Sequence, residues 1–220
     1  MNNVYENNMR FVPFLKFIDK YKNVLILVAV LLLVSIAYFV VNNQIEKNKS
    51  EQASIVYNEW LQEISQENPD NDNLNKLLDR FLNDFKNTGY TQLALLSKAN
   101  LDAKLNDYEE SLNNFKKLIQ ITDGLSGNKI YNKIARVSAA RLLLSMDKYD
   151  DALSMIDEYS SSDTNGYIHE LTGDILLQQD KIELAISQYK KAEKKYNDES
   201  SRTIISVSYT HLRAHETVAN

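Results

Sequence analysis

"ANLDAKLNDYEESLNNFKKL", Ala99 to Leu118, sets out a residue pattern that the chain uses three times. Small Ala99 is followed by small Ser111, large Phe115 and Leu118, with Tyr108 placed just behind a polar turn at Asn106-Asp107. The same order returns in "ARLLLSMDKYDDALSMIDEY", Ala140 to Tyr159, where Ala152, Ile156 and Tyr159 follow Tyr149 and the turn Asp147-Lys148. It returns again in "GDILLQQDKIELAISQYKKA", Gly173 to Ala192, where Ala185, Tyr189 and Ala192 follow Ile182 and the turn Asp180-Lys181. The small anchors Ala99, Ala140 and Gly173 are 41 and 33 residues apart. The stretch "ITDGLSGN", Ile121 to Asn128, is the loop that takes up the longer interval.

Copies of about 34 residues with a polar turn in the middle match the tetratricopeptide layout. Small residues stand where helix A and helix B of each copy pack closely, and a large residue stands on helix B. A generic bundle of amphipathic helices is the alternative, and Asp102 and Leu118 depart from the repeat consensus. Upstream, Ala53, Val56, Tyr57, Trp60, Leu61 and Ile64 lie on one helical face, as do Leu74, Leu77, Leu78, Phe81, Leu82 and Phe85. Asp72 or Asn73 is the expected N-cap of the second of these, with Gly89 closing it in the left-handed conformation. The chain has only 5 Gly and 2 Pro, so the expected class is all-α: one N-terminal transmembrane helix followed by a tetratricopeptide-like helical-repeat solenoid.

The transmembrane helix is read from "VLILVAVLLLVSIAYFVV", Val24 to Val41, which carries no charge, Gly or Pro. At about 1.5 Å per residue this run spans roughly 27 Å, close to the hydrocarbon thickness of a bilayer. Ser35-Ile36-Ala37 resembles a signal-peptide cleavage site, but the apolar run continues past it, which favours a retained anchor. Arg10, Lys16, Lys20 and Lys22 precede the span and Lys47 and Lys49 follow it. That bias keeps the N-terminus cytoplasmic and exports the rest. The expected organisation is a cytoplasmic segment 1–23, a span 24–41, an exported repeat domain 42–205 and a separate tail 206–220.

Net charge is −5 for the chain. With the four cations and two acids (Glu6, Asp19) of the first 23 residues set aside, the exported part is more acidic still. That excludes nucleic acid and anionic lipid as its natural partners. No cysteine is present, which removes disulfides, thiolate catalysis and a lipid-attachment cysteine. The tail "SVSYTHLRAHETVAN", Ser206 to Asn220, breaks the repeat pattern and resembles translated sequencing-adaptor sequence. Its His211 and His215, four apart beside Glu216, are the one metal-like pairing, yet further ligands are missing and no metal or other cofactor is expected. The tail is expected not to pack on the domain.

Elsewhere the chemistry-bearing patterns are absent. His169 reads as a packed structural histidine, and the carboxylates of "NDYEES" and "KYDDAL" favour the positive ends of their helices. No nucleophile–base pair or phosphate loop appears, so an enzyme is not expected. A repeat scaffold binds proteins on the face lined by its A helices. One position after each anchor stand Asn100, Arg141 and Asp174, polar residues flanked by apolar ones, and they are the candidate protein-binding row. Arg141 and Asp174 could equally pair with each other across adjacent repeats.

The segments "FLKFIDKYKN", "FKNTGYTQLALLSKANLDAKLNDYEESLNNFKKLI" and "GYIHELTGDILLQQDKIELAISQYKKA", set in this architecture, resemble the YfgM-like family of single-span ancillary subunits of the bacterial Sec translocon. The resemblance implies a single-pass bacterial inner-membrane protein with a periplasmic repeat domain and no catalytic motif. It implies association with the translocon and with a membrane-anchored periplasmic chaperone of the prolyl-isomerase type, receiving unfolded secretory chains. A periplasmic repeat adaptor for cell division or envelope assembly is the alternative. Two departures stand out. The span has no Gly, which weakens any close helix contact within the bilayer, and the tail replaces the expected final helix, leaving the last repeat without its cap.

Overall fold

A computed structural model describes residues 3–125, 127–160 and 165–219, and among these the side chains at 3–13, 15, 160, 208 and 211–219 lie outside the description. Every regular element among the described residues is an α-helix: α1 (Asn3–Ile64), α2 (Asn71–Asp84), α3 (Gly89–Lys104), α4 (Tyr108–Thr122), α5 (Lys129–Ser145), α6 (Tyr149–Ser160), α7 (Gly166–Gln178), α8 (Ile182–Lys195) and α9 (Glu199–Ala219). The chain divides into two compact units, Met1–Gln52 and Ala53–Asn220.

The first unit is the helix that carries the apolar run. Its most apolar 18-residue window has a mean hydropathy of 3.2 and none of it is buried, so it is long and apolar enough to cross a membrane. Ser35 Oγ donates to the Leu31 carbonyl at 2.8 Å, which satisfies the one serine hydroxyl of the span inside the helix itself. Aromatic rings mark both ends of the run: Phe17 and Tyr21 pack at 4.8 Å, and Tyr38 and Phe39 stand exposed. Tyr21 and Tyr38 are separated by about 26 Å of helical rise, the placement that aromatic residues take at the two interfaces.

The second unit is a row of helical hairpins, α3–α4, α5–α6 and α7–α8, and the turn inside each is built the same way. Each A helix ends with a left-handed residue seven positions after its small anchor: Asn106 (φ 63), Asp147 (φ 57) and Asp180 (φ 58). The next N–H in each case reaches back to close the helix: Asp107 to the Asp102 carbonyl at 2.9 Å, Lys148 to Leu143 at 2.9 Å and Lys181 to Leu176 at 3.0 Å. This is the Schellman closure, with Asn or Asp where glycine is usual, because their short polar side chains tolerate that conformation. In the first two turns the left-handed side chain also accepts from the following tyrosine, Tyr108 to Asn106 at 2.9 Å and Tyr149 to Asp147 at 2.8 Å. A generic bundle would have no reason to repeat such a turn in register.

The anchors lie where the reading places them. Ala99, Ala140, Ser111, Ala152 and Ala185 are fully buried. Gly173 faces Tyr189 so closely that an added Cβ would lie 2.6 Å from the ring. One continuous core runs from Ala53, Val56 and Trp60 through Leu74, Phe81 and Leu95 to Ile156 and Ile175. Trp60 also donates to Ser97 Oγ at 3.0 Å. The longer interval sits in the α4–α5 connection, where Gly124 takes a φ of 91 and Asn128 caps α5 through Ile130 and Tyr131.

Four expectations are corrected. The cap of α2 is Asp70, not Asp72 or Asn73: it follows Pro69 in an extended conformation and accepts from the Asp72 and Asn73 N–H groups at 3.0 and 3.3 Å. Gly89 does not close α2. Phe85 does, and Gly89 opens α3 behind the Thr88 cap, which takes the Thr91 N–H at 3.4 Å. The last repeat is not left without a cap either. Helix α9 lays buried Ile205 against Leu176, Ala185, Tyr189 and Ala192, and Asp198 caps it through the Ser201 N–H at 2.7 Å. Nor does the tail stand wholly apart: among the described residues Tyr209 is half-buried beside this cluster and donates to Glu193 at 2.9 Å. The side chains of His211, His215 and Glu216 lie outside the described ones.

Candidate partner-binding face

The hairpin geometry puts four positions of each A helix on one face, spaced three, four and three residues apart as a helical stripe requires. On α5 these are Ile134, Val137, Arg141 and Leu144; on α7 they are Tyr167, Glu170, Asp174 and Leu177. Between the two helices this face opens into two recesses. One, of about 390 Å³, lies at their N-terminal ends among Lys133, Ile134, Val137, Arg141, Tyr167 and Ile168. The other, of about 440 Å³, lies at their C-terminal ends among Leu144, Ser145, Asp147, Asp174, Leu177 and Gln178. Because N-terminal ends share one recess and C-terminal ends the other, α5 and α7 run parallel, as stacked repeats do.

Arg141 lines the first recess and Asp174 the second. Asn100 is exposed on α3 and is not among the residues lining either. Two members of the row are therefore brought to one groove, and the third stands on the neighbouring repeat. Arg141 and Asp174 each have other engagements. The guanidinium lies 5.9 Å from the Tyr167 ring centroid, a cation–π arrangement. Asp174 accepts from the Tyr189 hydroxyl at 2.8 Å.

Burial pushes the Asp174 carboxyl above the usual aspartate range and Glu170 adds to this, while the Tyr189 hydrogen bond and Arg141 work against it. The Tyr189 phenol is pushed up by burial and by its bond to Asp174. Tyr196, raised by burial, donates to Glu170 in a short hydrogen bond. Burial raises Tyr167 as well, with Arg141 opposing it. None of these groups is paired as acid and base around an open cavity. His169 is buried with its Nδ1 2.9 Å from Gln188 Oε1, a packing role. Among the described residues no group of His, Cys, Asp and Glu is placed to hold a metal.

Sequence reasoning missed Lys133, Tyr167 and Asp147 as groove residues. Tyr167 was legible: it occupies the repeat position held by Ile134, six before the anchor. The other two were not, since each lies beside the stripe, and a recess between two helices recruits from their flanks.

Comparison with known proteins agrees with this architecture. A curated protein of Buchnera aphidicola subsp. Schizaphis graminum (strain Sg), named "Ancillary SecYEG translocon subunit", is 26% identical over 161 residues, covering 71% of this chain and 77% of its own length. Among solved structures, a MamA RS-1 double mutant superposes with a TM-score of 0.52 at 17% identity, covering 77% of this chain and 91% of that one. MamA 41-end from Desulfovibrio magneticus RS-1 gives 0.51 at 16% identity, covering 77% and 96%. At such identities these two speak for the fold alone. The model of the tetratricopeptide repeat-like domain family matches residues 16–214, and the chain belongs to that family.

Proposed function

We propose that this protein is a membrane-anchored, non-catalytic repeat scaffold, an ancillary subunit of the Sec translocon that passes secreted chains to periplasmic chaperones. The observation that carries the reading is the combination of one membrane-capable helix at the N-terminus with a repeat domain, in a chain resembling an ancillary SecYEG translocon subunit over 161 residues. In this reading the span at 24–41 anchors the chain in the bacterial inner membrane, residues 1–23 stay cytoplasmic and the repeat domain is periplasmic. The scaffold contacts its partners through the helix-A face, with Asn100, Arg141 and Asp174 as contact residues. Crosslinking in intact membranes, followed by identification of the captured proteins, tests it. Translocon subunits and a membrane-anchored periplasmic chaperone are the expected captures. Recovery of cell-division or envelope-assembly proteins without the translocon would replace this reading with that of a periplasmic adaptor.

A further inference from the structure

The two recesses between α5 and α7 carry rims of opposite charge. At the N-terminal ends Ile134, Val137 and the buried Ile168 give an apolar lining, and Lys133 and Arg141 supply cations. At the C-terminal ends Leu144 and Leu177 line the recess, and Asp147 and Asp174 supply carboxylates. Each cation is held over a ring, Lys133 5.3 Å from the Tyr159 centroid and Arg141 5.9 Å from that of Tyr167. A charge held against an aromatic face is positioned at the rim and meets a counter-charge at little further ordering cost. The C-terminal ends of α5 and α7 add their negative dipole ends to the acidic recess.

The geometry points to an extended polypeptide segment as the occupant of this groove, with an apolar residue and a carboxylate at one end and a lysine or arginine at the other. Spacing sets the length. From Val137 to Ser145 the α5 axis rises about 12 Å, which four residues of extended chain cover at roughly 3.3 Å each. Neighbouring packed helices lie about 8–10 Å apart, a furrow narrower than a helix with its side chains at ~10–12 Å, whereas an extended chain sends alternate side chains into it. Opposite rims also fix the direction in which the segment lies, since turning it end for end sets like charges together. This rests on the proposed reading that partners meet the helix-A face, and adds which chemistry they present there.

Fluorescence anisotropy with the full chain in detergent micelles tests the inference. The probes are labelled peptides Leu-Glu-Ser-Ser-Lys and its reverse Lys-Ser-Ser-Glu-Leu, against the single-sign peptides Leu-Glu-Ser-Ser-Glu and Leu-Lys-Ser-Ser-Lys. One order of the mixed-charge peptide is expected to bind at least tenfold tighter than both single-sign peptides. Arg141→Glu should remove that advantage and move the preference to the all-cationic peptide. Arg141 is exposed, and the reversal of preference is a readout that loss of structure cannot mimic. Equal binding of all four peptides, no binding, or an unchanged ranking in Arg141→Glu overturns the inference. So does tighter binding of a helical peptide with its charges eight residues apart. The membrane crosslinking above reports separately: translocon capture with an indifferent peptide ranking leaves the proposed function standing and removes only this recognition chemistry.

Discussion

In the α3–α4 hairpin Lys98, Asp102 and Asn114 form a buried polar trio; in the α5–α6 hairpin the same three positions hold Ala139, Leu143 and Met155. Lys98 Nζ lies 2.5 Å from Asp102 Oδ1 with both side chains essentially excluded from solvent, and Asn114 donates to the other Asp102 oxygen at 3.0 Å. Ser111 adds a 2.7 Å bond to the Ala99 carbonyl where the other hairpins have a methyl group at Ala152 and Ala185. Yet both turns close with the same backbone bond and the same tyrosine hydroxyl on the left-handed residue, and both sets of anchors are fully buried. The lesson is that the turn and the small-residue contacts define this hairpin, while its interior accepts either an ion pair with full hydrogen bonding or plain apolar packing. A buried pair is specific, but it is weak evidence of extra stability, because desolvation offsets its attraction.

Asp102 is the residue at which the two interiors differ most in consequence. Asp102→Leu alone leaves the Lys98 ammonium buried without its counter-ion and is expected to cost about 3–5 kcal/mol, read as a fall in the chemical denaturation midpoint. The triple exchange Lys98→Ala, Asp102→Leu and Asn114→Met, which imports the chemistry of the second hairpin, should be neutral or stabilising by up to about 4 kcal/mol. If the triple variant is as damaged as the single one, the two interiors are not interchangeable.

Smaller effects test the shared parts. Ala152→Leu inserts bulk where α5 and α6 touch and should cost about 1–3 kcal/mol by overpacking. Gly173→Ala should fall in the same range, since its Cβ would lie 2.6 Å from Tyr189. A neutral result for either would mean that close approach is not what the anchors provide. At the turns, Asn106→Ala should cost about 1 kcal/mol for a left-handed residue without a local hydrogen bond, whereas Asn106→Gly should be close to neutral. Parallel changes at Asp147 and Asp180, followed by thermal unfolding, should give the same order if the turns are equivalent.

Much of this was legible because repeats announce themselves by spacing. Ala99, Ala140 and Gly173 recur at repeat spacing, and the turn residues follow each at a fixed interval. The polar trio was not foreseen, although Asp102 was visible as a departure from the repeat consensus. Lys98 and Asp102 stand four apart, the spacing of surface ion pairs on a helix, and only Asn114, on the facing helix, reveals that the site is interior. The cap of α2 was misplaced because Asp70, Asp72 and Asn73 are all good cap residues, and the choice depends on the backbone following Pro69. Helix α9 was set aside with its tail, yet Ile205 stands before Ser206 and already carries the packing on the last repeat. The Arg141–Asp174 groove was half legible: repeat position gave the row, but the two recesses depend on flanking residues that no single stripe contains.

The smallest effect concerns Asp174, where groove and core compete. Burial raises its folded pKa above the ordinary value of 3.8, so the folded state favours the protonated form. The stabilisation from that proton is fully present below the unfolded pKa and is lost as pH rises through the folded one. Above that folded pKa the ionised carboxylate therefore weakens the fold relative to its state in acid. Asp174→Asn removes the charge, keeps an acceptor for the Tyr189 hydroxyl and should raise the thermal midpoint at pH 7, with the difference from the parent narrowing as pH falls below the folded pKa. The same change should weaken binding of the mixed-charge peptide, because the acidic recess loses one of its carboxylates. Stability up and affinity down at one residue is the signature of a charge kept for recognition against the preference of the fold. Should stability fall at neutral pH, the carboxylate is instead a structural partner of Tyr189, and the groove has to rely on Asp147 for its negative end.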